Sequence, residues 1–494
     1  MRVAIVELPY HSLLGWAAEP GVGAGYVASF LEQAGHSVSM INGEAMGAEL
    51  SKQTIWRPLD KLRPYLCYLS PSFKQVPPLY KEVMTDSRHY IWDNIIEQIR
   101  KETPDVVGLG LVTVKMTGAK IVCQRIKQDL GNIPIVLGGI HPTSAPMETL
   151  NEIPGADFVV VGEGEETMRE LLKYLSAPNG TELRSISGLA YRDSYGEPMV
   201  NEPRALIRNL DSLPFPKREV GKGKIPRALV ITGRGCPFHC KFCASHVIWE
   251  RRVRYRSIQN VLEEVSMLKS LFGVRIIDIV DDTFALSKKR VLEFSQGVKE
   301  RGLDSIEYAV CSRVDTIDSE MLRALKACGA KTVEFGVESG SPRILQEIGK
   351  DITPEQVMKA VALTNAEGME SQTFYMIGHP GETKQDIQLS KQLVRKSKAK
   401  YVMLSMVTIY PQTGYAKIAA SKNKRLLSIN DYYKGFHQLS STVNLTELTD
   451  KELELEYRSF ISLIRRLNLK YALLDFRSFL MRLPHIVRYL LSPR

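Results

Sequence analysis

The sequence predicts an α/β protein with three parts: an N-terminal doubly wound sheet of the flavodoxin or Rossmann type, a partial (β/α)6 barrel of the TIM type, and a helical C-terminal region. Two series of short apolar runs, each alternating with helical segments, predict the first two parts, and the alternation stops after Pro411. A chain of 494 residues also exceeds one ordinary core. We place the parts at residues 1–180, 227–425 and 426–494, with a hairpin and linker at 181–226.

The first series contains five apolar runs suited to buried parallel strands. They are VAIVEL (3–8), SVSMIN (37–42), DVVGLGLVT (105–113), IPIVLGGI (133–140) and DFVVVGEGE (157–165). A doubly wound sheet of this kind binds ligands at its carboxyl edge. We expect an insertion at 44–100, a small hairpin at 188–203 and an interdomain linker in the Pro-, Gly- and Lys-rich stretch 209–226.

The second series contains six apolar runs, as a barrel with six of the usual eight units would. They are ALVITGRG (228–235), VRIIDIVDD (274–282), SIEYAVCSR (305–313), KTVEFGVES (331–339), ESQTFYMIG (370–378) and YVMLSMVTIY (401–410). In such barrels the loops that follow the carboxyl ends of the strands carry the chemistry.

Three of the seven cysteines lie at C-x3-C-x2-C spacing in GCPFHCKFC (235–243), directly after the first barrel run. The N-terminus lacks a signal-peptide layout, so we expect a cytoplasmic protein, in which a disulfide is disfavoured. His246 follows at a spacing that allows a Cys3His zinc site. Three thiolates alone would instead hold a 4Fe–4S cluster with one open iron. Spacing leaves both alternatives open, and the position on the barrel rim favours the cluster.

The cysteine motif, with the aromatic Phe242 before its last cysteine, resembles the signature of the radical S-adenosylmethionine (radical SAM) superfamily. Five further segments fall at the ends of successive barrel runs in that superfamily's order: DDTF (281–284), SRVD (312–315), GVESGS (336–341), GHPGET (378–383) and IYPQTG (409–414). The resemblance implies a 4Fe–4S cluster on Cys236, Cys240 and Cys243. It also implies that the cluster cleaves SAM to methionine and a 5′-deoxyadenosyl radical.

The same resemblance implies which residues contact SAM. It assigns the ammonium to Asp281 and Asp282, the carboxylate to Arg313, the ribose to Glu338 and Ser339, and the adenine region to Phe242, Gly378 and Pro380. Two structural alternatives stay open: helix capping for the two aspartates and an ion pair for Glu338. The Gly-Gly-Glu that usually follows the second strand is absent, which weakens the ammonium assignment most.

The N-terminal sheet resembles the cobalamin-binding domain that precedes the barrel in one radical SAM subgroup. The residues that carry this resemblance, and would contact cobalamin, are Thr113, Gly138, Gly139, Gly162 and Glu163. Paired glycines let the backbone approach a bulky ligand closely, although they also occur in ordinary tight turns. The Asp-x-His-x-x-Gly motif of other cobalamin proteins is absent. His11 is then a stray candidate ligand, and an ordinary loop histidine is the better interpretation.

The combined resemblance implies a cobalamin-dependent radical SAM methyltransferase that acts on an unactivated carbon or a phosphorus atom. In such an enzyme the radical removes hydrogen from the substrate, which then captures a methyl group from methylcobalamin. One alternative is a radical cyclisation or rearrangement without methylation, and another is a non-catalytic binding or sensing module. No residue is assigned as a catalytic acid or base.

The expected partners are a small-molecule or natural-product substrate and an electron donor of the flavodoxin or ferredoxin type. The net charge of +10 does not indicate nucleic acid, because residues 457–494 alone contain eight Lys and Arg against one acid. Basic and apolar residues alternate over 467–491, which allows peripheral membrane contact. The other interpretation of this stretch is a cap on the barrel.

Overall fold

The computed structural model describes residues 1–10, 21–47, 78–177, 182–218, 225–424 and 443–468. An open sheet forms the N-terminal part. Its strands are β1 Arg2–Glu7, β2 Ser37–Asn42, β3 Val106–Gly110, β4 Ile135–Gly138, β5 Phe158–Val160, β6 Leu189–Arg192 and β7 Pro198–Val200, in the order β2–β1–β3–β4–β5–β6–β7. The first five strands are parallel. This order confirms the doubly wound fold, whose ligand crevice lies where the order reverses, between β1 and β3.

Helices cover both faces of this sheet. They are α1 Val22–Gln33, α2 Pro78–Thr85, α3 Tyr90–Glu102, α4 Met116–Asp129, α5 Ile140–Ser144, α6 Pro146–Glu152 and α7 Gly164–Ser176. The helix α3 carries Trp92, Ile95 and Ile99 on one face, and all three are completely buried in a cluster with residues of β3. Residues 78–102 therefore belong to the layered fold as the connection from β2 to β3, and they include the last part of the insertion expected at 44–100. Residues 48–77 lie outside the described residues.

The expected hairpin and linker both pack on the N-terminal sheet. The strand β6 pairs antiparallel with β5, so the hairpin extends the sheet instead of projecting from it. In the linker, Leu210 and Leu213 are buried against Val22 and Tyr26 of α1. Residues 219–224 of the linker are not described.

Six parallel strands form the second sheet, in the order β15–β14–β13–β12–β11–β8. The elements of this part are β8 Arg227–Val230, β9 Gly233–Arg234, α8 Ser245–Trp249, β10 Arg254–Tyr255, α9 Ile258–Phe272, β11 Ile276–Ile279, α10 Lys288–Glu300, β12 Glu307–Ser312, α11 Ser319–Ala327, β13 Ala330–Glu338, α12 Pro342–Glu347, α13 Pro354–Ala366, β14 Glu370–Ile377, α14 Lys384–Ser397, β15 Tyr401–Met406 and α15 Gly414–Ser421. The strands β8 and β15 are the two ends of the sheet, so the partial barrel is open, as predicted.

The first barrel run differs from the prediction. It divides into β8 and the short strand β9, which leaves the barrel sheet and pairs antiparallel with β10. The three cysteines therefore lie in the loop that joins the two strands of a small ribbon, and they do not directly follow the barrel strand.

Side chains occupy the outer edges of both end strands. On β15, the Asn468 amide accepts from the Val402 N–H at 3.3 Å and donates to the Val402 carbonyl at 3.2 Å. On the β8 side, Arg218 donates to the Leu229 carbonyl at 2.7 Å and Arg256 donates to the Ile231 carbonyl at 2.9 Å.

Residues 450–468 are helical and close one side of the barrel. Leu453, Tyr457, Phe460 and Ile464 are buried in the same apolar cluster as the barrel strands. The basic stretch at 467–491 lies almost entirely outside the described residues, which end at Asn468. Within the described ranges, no helix combines the length and apolar character needed to cross a membrane.

Candidate site between the two sheets

A cavity of about 460 Å³ lies between the carboxyl edges of the two sheets. The open sheet contributes the ends of β3 and β4, and the barrel contributes the ends of β8 and β11; the lining includes Gly110, Leu111, Val112, Gly138, Gly139, Ile231, Val280 and Asp282. Val112 and Val280 are apolar yet 40% and 41% exposed. One largely apolar cavity thus faces the ligand-binding edges of both parts.

The segment between β9 and β10, which we call the cysteine loop (residues 235–253), carries the three cysteines and α8. Gly235 begins it with φ of 102°, and a Cβ atom there would lie 2.0 Å from the Arg252 carbonyl oxygen. Only glycine fits this position, because both the backbone angle and the close approach exclude a side chain. Ile248 and Trp249 of α8 line the cavity, so the loop contributes directly to its wall.

The three cysteines are free, half-buried thiols. Burial, with smaller contributions from the nearby Asp282, Cys240 and Cys236, raises the pKa of Cys243 to about 12. The three sulfurs are therefore close enough to interact electrostatically. Cysteine thiolates are the ligands of iron–sulfur clusters, and metal binding removes their protons. The donor set fits the predicted cluster.

The two alternatives for these cysteines find less support. The three thiols are not joined in a disulfide. The His246 ring nitrogen Nδ1 lies 2.9 Å from the Cys243 carbonyl oxygen, so the histidine of the Cys3His alternative contacts the loop's own backbone. Across the described ranges, no three His, Cys, Asp or Glu side chains are placed to hold a single metal ion. A cluster does not need its cysteines to converge on one ion, because it binds them at separate iron atoms.

The two aspartates after β11 have different surroundings. The Asp281 carboxylate accepts from the Thr232 N–H at 2.6 Å, the Thr232 hydroxyl at 2.5 Å and the Gly233 N–H at 3.2 Å. Burial raises the pKa of Asp281 to about 6. Asp282 accepts from the Ser245 hydroxyl at 2.8 Å and lines the cavity. Asp281 therefore fixes the chain just before the cysteine loop, which neither the SAM nor the capping hypothesis foresaw.

Arg313, predicted to face the SAM carboxylate, already contacts protein groups. It binds Asp315 through two 2.9 Å hydrogen bonds and donates to the Lys350 carbonyl at 2.7 Å. Its guanidinium carbon lies 3.7 Å from the centre of the Phe238 ring, which is in the cysteine loop. This cation–π contact supports the loop from below.

Glu338 and Ser339, predicted near the ribose, turn into the protein. Glu338 is buried, has φ of 70° and pairs with Lys350 at 3.0 Å, which matches the structural alternative. The Ser339 hydroxyl lies 3.3 Å from that of Ser390 on α14. Their contacts with SAM stay predictions.

The segment GHPGET supports the cysteine loop from the opposite side. The N–H groups of Gly378 and His379 donate to Glu382 at 2.7 and 3.2 Å, and burial raises the pKa of this carboxyl to about 8. The Phe242 ring lies 6.5 Å from the His379 ring and 6.2 Å from that of Tyr415. Phe242, the residue before the third cysteine, therefore lies beside His379 of the Gly378–Pro380 turn.

Glycines dominate the side of the cavity that belongs to the open sheet: Gly108, Gly110, Gly138, Gly139, Gly162 and Gly164. Gly139 has φ of 106°, and a Cβ atom there would lie 2.4 Å from the Leu111 carbonyl oxygen. Gly162 has φ of 85° and no atom within 4 Å of a Cβ position, so it presents bare backbone to open space. A wide cavity walled by backbone fits a bulky ligand such as cobalamin.

Thr113 and Glu163, also predicted to contact cobalamin, have protein partners. The Thr113 hydroxyl lies 3.0 Å from His141 Nδ1, and burial lowers the pKa of that histidine to about 4. Glu163 lines the cavity but accepts from Arg234 at 2.5 Å and from Arg254 at 2.8 Å. His11 lies outside the described residues.

Several charged cavity residues escaped the sequence analysis. Arg234 and Glu165 form a buried pair at 2.7 Å, and Lys115 is buried against Glu7 and Glu44. The sequence did contain a signal for these residues. Arg234 lies beside the glycines of GRGC and Glu165 beside those of GEGEE, while Lys115 closely follows an apolar strand region. Each partner lies far away in the sequence, so spacing could not pair them.

Family models match both parts of the chain. A model of the radical SAM superfamily matches residues 230–394, and a model of the B12 binding domain matches residues 80–172. The first range begins at the end of β8 and includes the three cysteines. The second runs from α2 into α7 and includes the glycine-rich cavity wall.

The chain is similar to two known proteins along most of its length. It is 36% identical over 382 residues to the uncharacterized methyltransferase PH0819 of Pyrococcus horikoshii, covering 76% of this chain and 82% of that protein. It is 27% identical over 362 residues to the anaerobic magnesium-protoporphyrin IX monomethyl ester cyclase of Cereibacter sphaeroides, covering 71% of this chain. The match spans 58% of the cyclase's length.

A solved structure shares the fold. The radical SAM methyltransferase TsrM from Kitasatospora setae, with tryptophan substrate and a SAM analogue bound, superposes with a TM-score of 0.66 at 18% identity. The match covers 85% of this chain and 76% of TsrM.

Proposed function

Because the chain belongs to the radical SAM enzymes that carry a cobalamin-binding domain, we propose that it methylates a small molecule at an unactivated carbon or a phosphorus atom. Its cofactors are a 4Fe–4S cluster, SAM and cobalamin. When bound, the cluster with SAM supplies a 5′-deoxyadenosyl radical and cobalamin supplies the methyl group. The observation that carries the proposal is the single cavity onto which both carboxyl edges open.

In this proposal the cysteine loop holds the cluster and the ends of the barrel strands hold SAM. Cys236, Cys240 and Cys243 would hold the 4Fe–4S cluster, and a cluster held by three cysteines would keep one iron free for SAM. Asp282 binds the SAM ammonium, because its carboxylate lines the cavity whereas that of Asp281 does not. Phe242 and the Gly378–Pro380 turn flank the adenine. Arg313, Glu338 and Ser339 shape the floor of this site through the contacts described above.

The open sheet holds cobalamin in the same proposal. Gly138, Gly139 and Gly162 admit its bulk against the backbone, and Thr113 closes the end of β3. The apolar side chains of Val112, Val280 and Trp249 keep water from the space between the cofactors. Exclusion of water protects a radical from side reactions. The substrate enters this space as a small molecule.

The proposal is tested without knowing the substrate. The anaerobically reconstituted protein is reduced in the presence of hydroxocobalamin and SAM that carries a trideuteromethyl group. We expect the labelled methyl group on cobalamin together with an equal amount of S-adenosylhomocysteine. If 5′-deoxyadenosine forms while S-adenosylhomocysteine and labelled cobalamin do not, methyl transfer is excluded.

That excluding outcome would support a radical cyclisation or rearrangement, which the similarity to the cyclase favours as second candidate. A protein that binds the cofactors and cleaves no SAM would instead be a binding or sensing module.

Two partners complete the proposal. An electron donor of the flavodoxin or ferredoxin type reduces the cluster, and the net charge of +10 suits the acidic surface of such donors. The basic stretch at 467–491 contacts membranes at their surface. Deletion of 469–494 should release the protein from vesicles that contain anionic lipids, and unchanged vesicle binding would refute this contact.

A further inference from the structure

We propose that Arg234 is a positioning residue that couples cobalamin binding to the position of the cysteine loop. The inference rests on the proposed function only in requiring that the cluster and cobalamin both bind. It concerns a cluster of charged residues at the interface between the two parts, which we call the interface clamp: Arg234, Arg254, Glu163 and Glu165.

The clamp begins at the base of the cysteine loop. Arg234 on β9 pairs in register with Arg254 on β10, so these two residues mark the start and the end of the loop. Both side chains bind the same carboxylate, that of Glu163, at 2.5 and 2.8 Å. Arg234 also binds Glu165 at 2.7 Å. The two ends of the loop that carries the cysteines are thus tied to one point on the N-terminal part.

That point belongs to the glycine-rich wall of the cobalamin site. Glu163 lies between the cavity-lining Gly162 and Gly164 and directly precedes α7, and Glu165 lies in the first turn of that helix. Two carboxylates at a helix N-terminus are stabilised by the helix dipole. Any ligand that orders the backbone at 162–164 therefore also orders the carboxylates that hold the loop.

Aromatic rings extend the clamp on both sides. The Arg234 guanidinium lies 5.2 Å from the ring centre of Tyr26 on α1 and 5.8 Å from that of Trp249 on α8. The Arg254 guanidinium lies 5.5 Å from the same Trp249 ring. Trp249 lines the cavity and comes six residues after Cys243 in the same loop. These ring contacts therefore connect α1 of the N-terminal part to the last residue of α8, the helix that follows the third cysteine.

The ion pairs of the clamp are strong because their side chains are almost completely shielded from solvent. The side chains of Arg234, Glu163 and Glu165 are 8%, 3% and 4% exposed. A buried charge that loses its partner is strongly unfavourable, so the loop and α7 cannot separate cheaply. A cluster that orders the loop thereby fixes the cavity wall, and cobalamin binds better to a wall already in place.

A comparison of two affinities tests this coupling. Hydroxocobalamin is titrated by absorption into the full chain, once with the reconstituted cluster and once after the cluster is removed by chelation, always without SAM. The ratio of the two dissociation constants is the coupling factor. We expect tighter binding with the cluster, by about fivefold or more in the unmodified protein. Arg234→Gln should bring the factor to about one.

Two further variants distinguish a loss of coupling from a general loss of protein stability. Glu165→Gln leaves Glu163 between the two arginines and should lower the factor without abolishing it. Lys391→Gln breaks a buried pair with Glu456 on the far side of the barrel, where Lys391 is 3% exposed, and should leave the factor unchanged. General destabilisation would move both affinities of a variant together and spare their ratio.

Hydrogen exchange gives a second readout that does not require a cluster in the variant. In the cluster-free protein, hydroxocobalamin should slow amide exchange across 236–246, which lines no part of the cavity, and in Arg234→Gln it should not. A coupling factor of one in the unmodified protein, or an equal factor in Arg234→Gln, would overturn the inference. Failure of methyl transfer would leave it standing, because only binding is measured.

Discussion

Asp281 is bound to Thr232 twice, by the backbone N–H at 2.6 Å and by the hydroxyl at 2.5 Å. The adjacent Asp282 instead faces the cavity. Asp281→Asn leaves at least one buried donor without an acceptor and should cost about 1–3 kcal/mol in the free energy of unfolding. Asp282→Asn should leave stability nearly unchanged and weaken SAM binding about tenfold. Denaturant unfolding and anaerobic calorimetry measure the two effects. Equal SAM affinity in Asp282→Asn and the unmodified protein would remove Asp282 from the site.

The three cysteines should be required for iron. Cys236→Ala leaves two of the three ligands, and we expect iron to fall from about four per chain to less than one after anaerobic reconstitution. Iron analysis and the absorption spectrum measure the change. Cys328→Ala is the matched control, since this cysteine is buried in the barrel core far from the loop sequence. Full iron in Cys236→Ala would refute the assignment.

A comparison of two glycines with nearly equal φ angles distinguishes the effect of backbone strain from the effect of lost ligand contact. Gly162 and Gly131 have φ of 85° and 87°, and neither has an atom within 4 Å of a Cβ position. Alanine at either site should cost about 1 kcal/mol of stability through the positive φ. Only Gly162 lines the cavity, so only Gly162→Ala should weaken hydroxocobalamin binding, by about tenfold. Equal cobalamin affinities in the two variants would place the ligand elsewhere.

Glu382 should make stability depend on pH. Burial raises its pKa from 4.5 to about 8. Between these values the unfolded chain has released a proton that the folded chain keeps, so stability falls as pH rises. Glu382→Gln cannot ionise, and its stability relative to the unmodified protein should increase from pH 5 to 8, by up to about 1.4 kcal/mol per pH unit. Denaturant unfolding at several pH values measures this. Parallel curves would mean that the folded protein holds Glu382 ionised.

The sequence predicted both sheets because strand periodicity is a local signal. All eleven predicted strand regions contain strands of the two sheets, and the rim position of the cysteines followed from barrel geometry. The sequence did not reveal that β9 leaves the barrel sheet, because only two residues separate the end of β8 at Val230 from Gly233. The insertion expected at 44–100 stays a prediction, because residues 48–77 lie outside the described residues, while its last part forms α2 and most of α3.

The three cysteines were identifiable as candidate cluster ligands because they lie in one short segment. The SAM and cobalamin contacts rest on residues whose partners are distant in sequence. Asp281, Arg313 and Glu338 carry the residue types expected of a cofactor site, and each also binds a protein group that the sequence did not indicate. Arg234 and Glu165 are 69 residues apart, and only the folded chain brings them together. Motifs thus located the site, while its electrostatic connections required the structure.

An incomplete barrel presents two raw strand edges, which are natural templates for pairing with the strand of another molecule. The amide of Asn468 satisfies both backbone groups of Val402 as a neighbouring strand would, and Arg218 and Arg256 occupy two carbonyls beside β8. These three side chains occupy the backbone groups of one residue on β15 and two carbonyls at β8. A strand of another molecule therefore could not form a continuous hydrogen-bonded pair with either edge without displacing them.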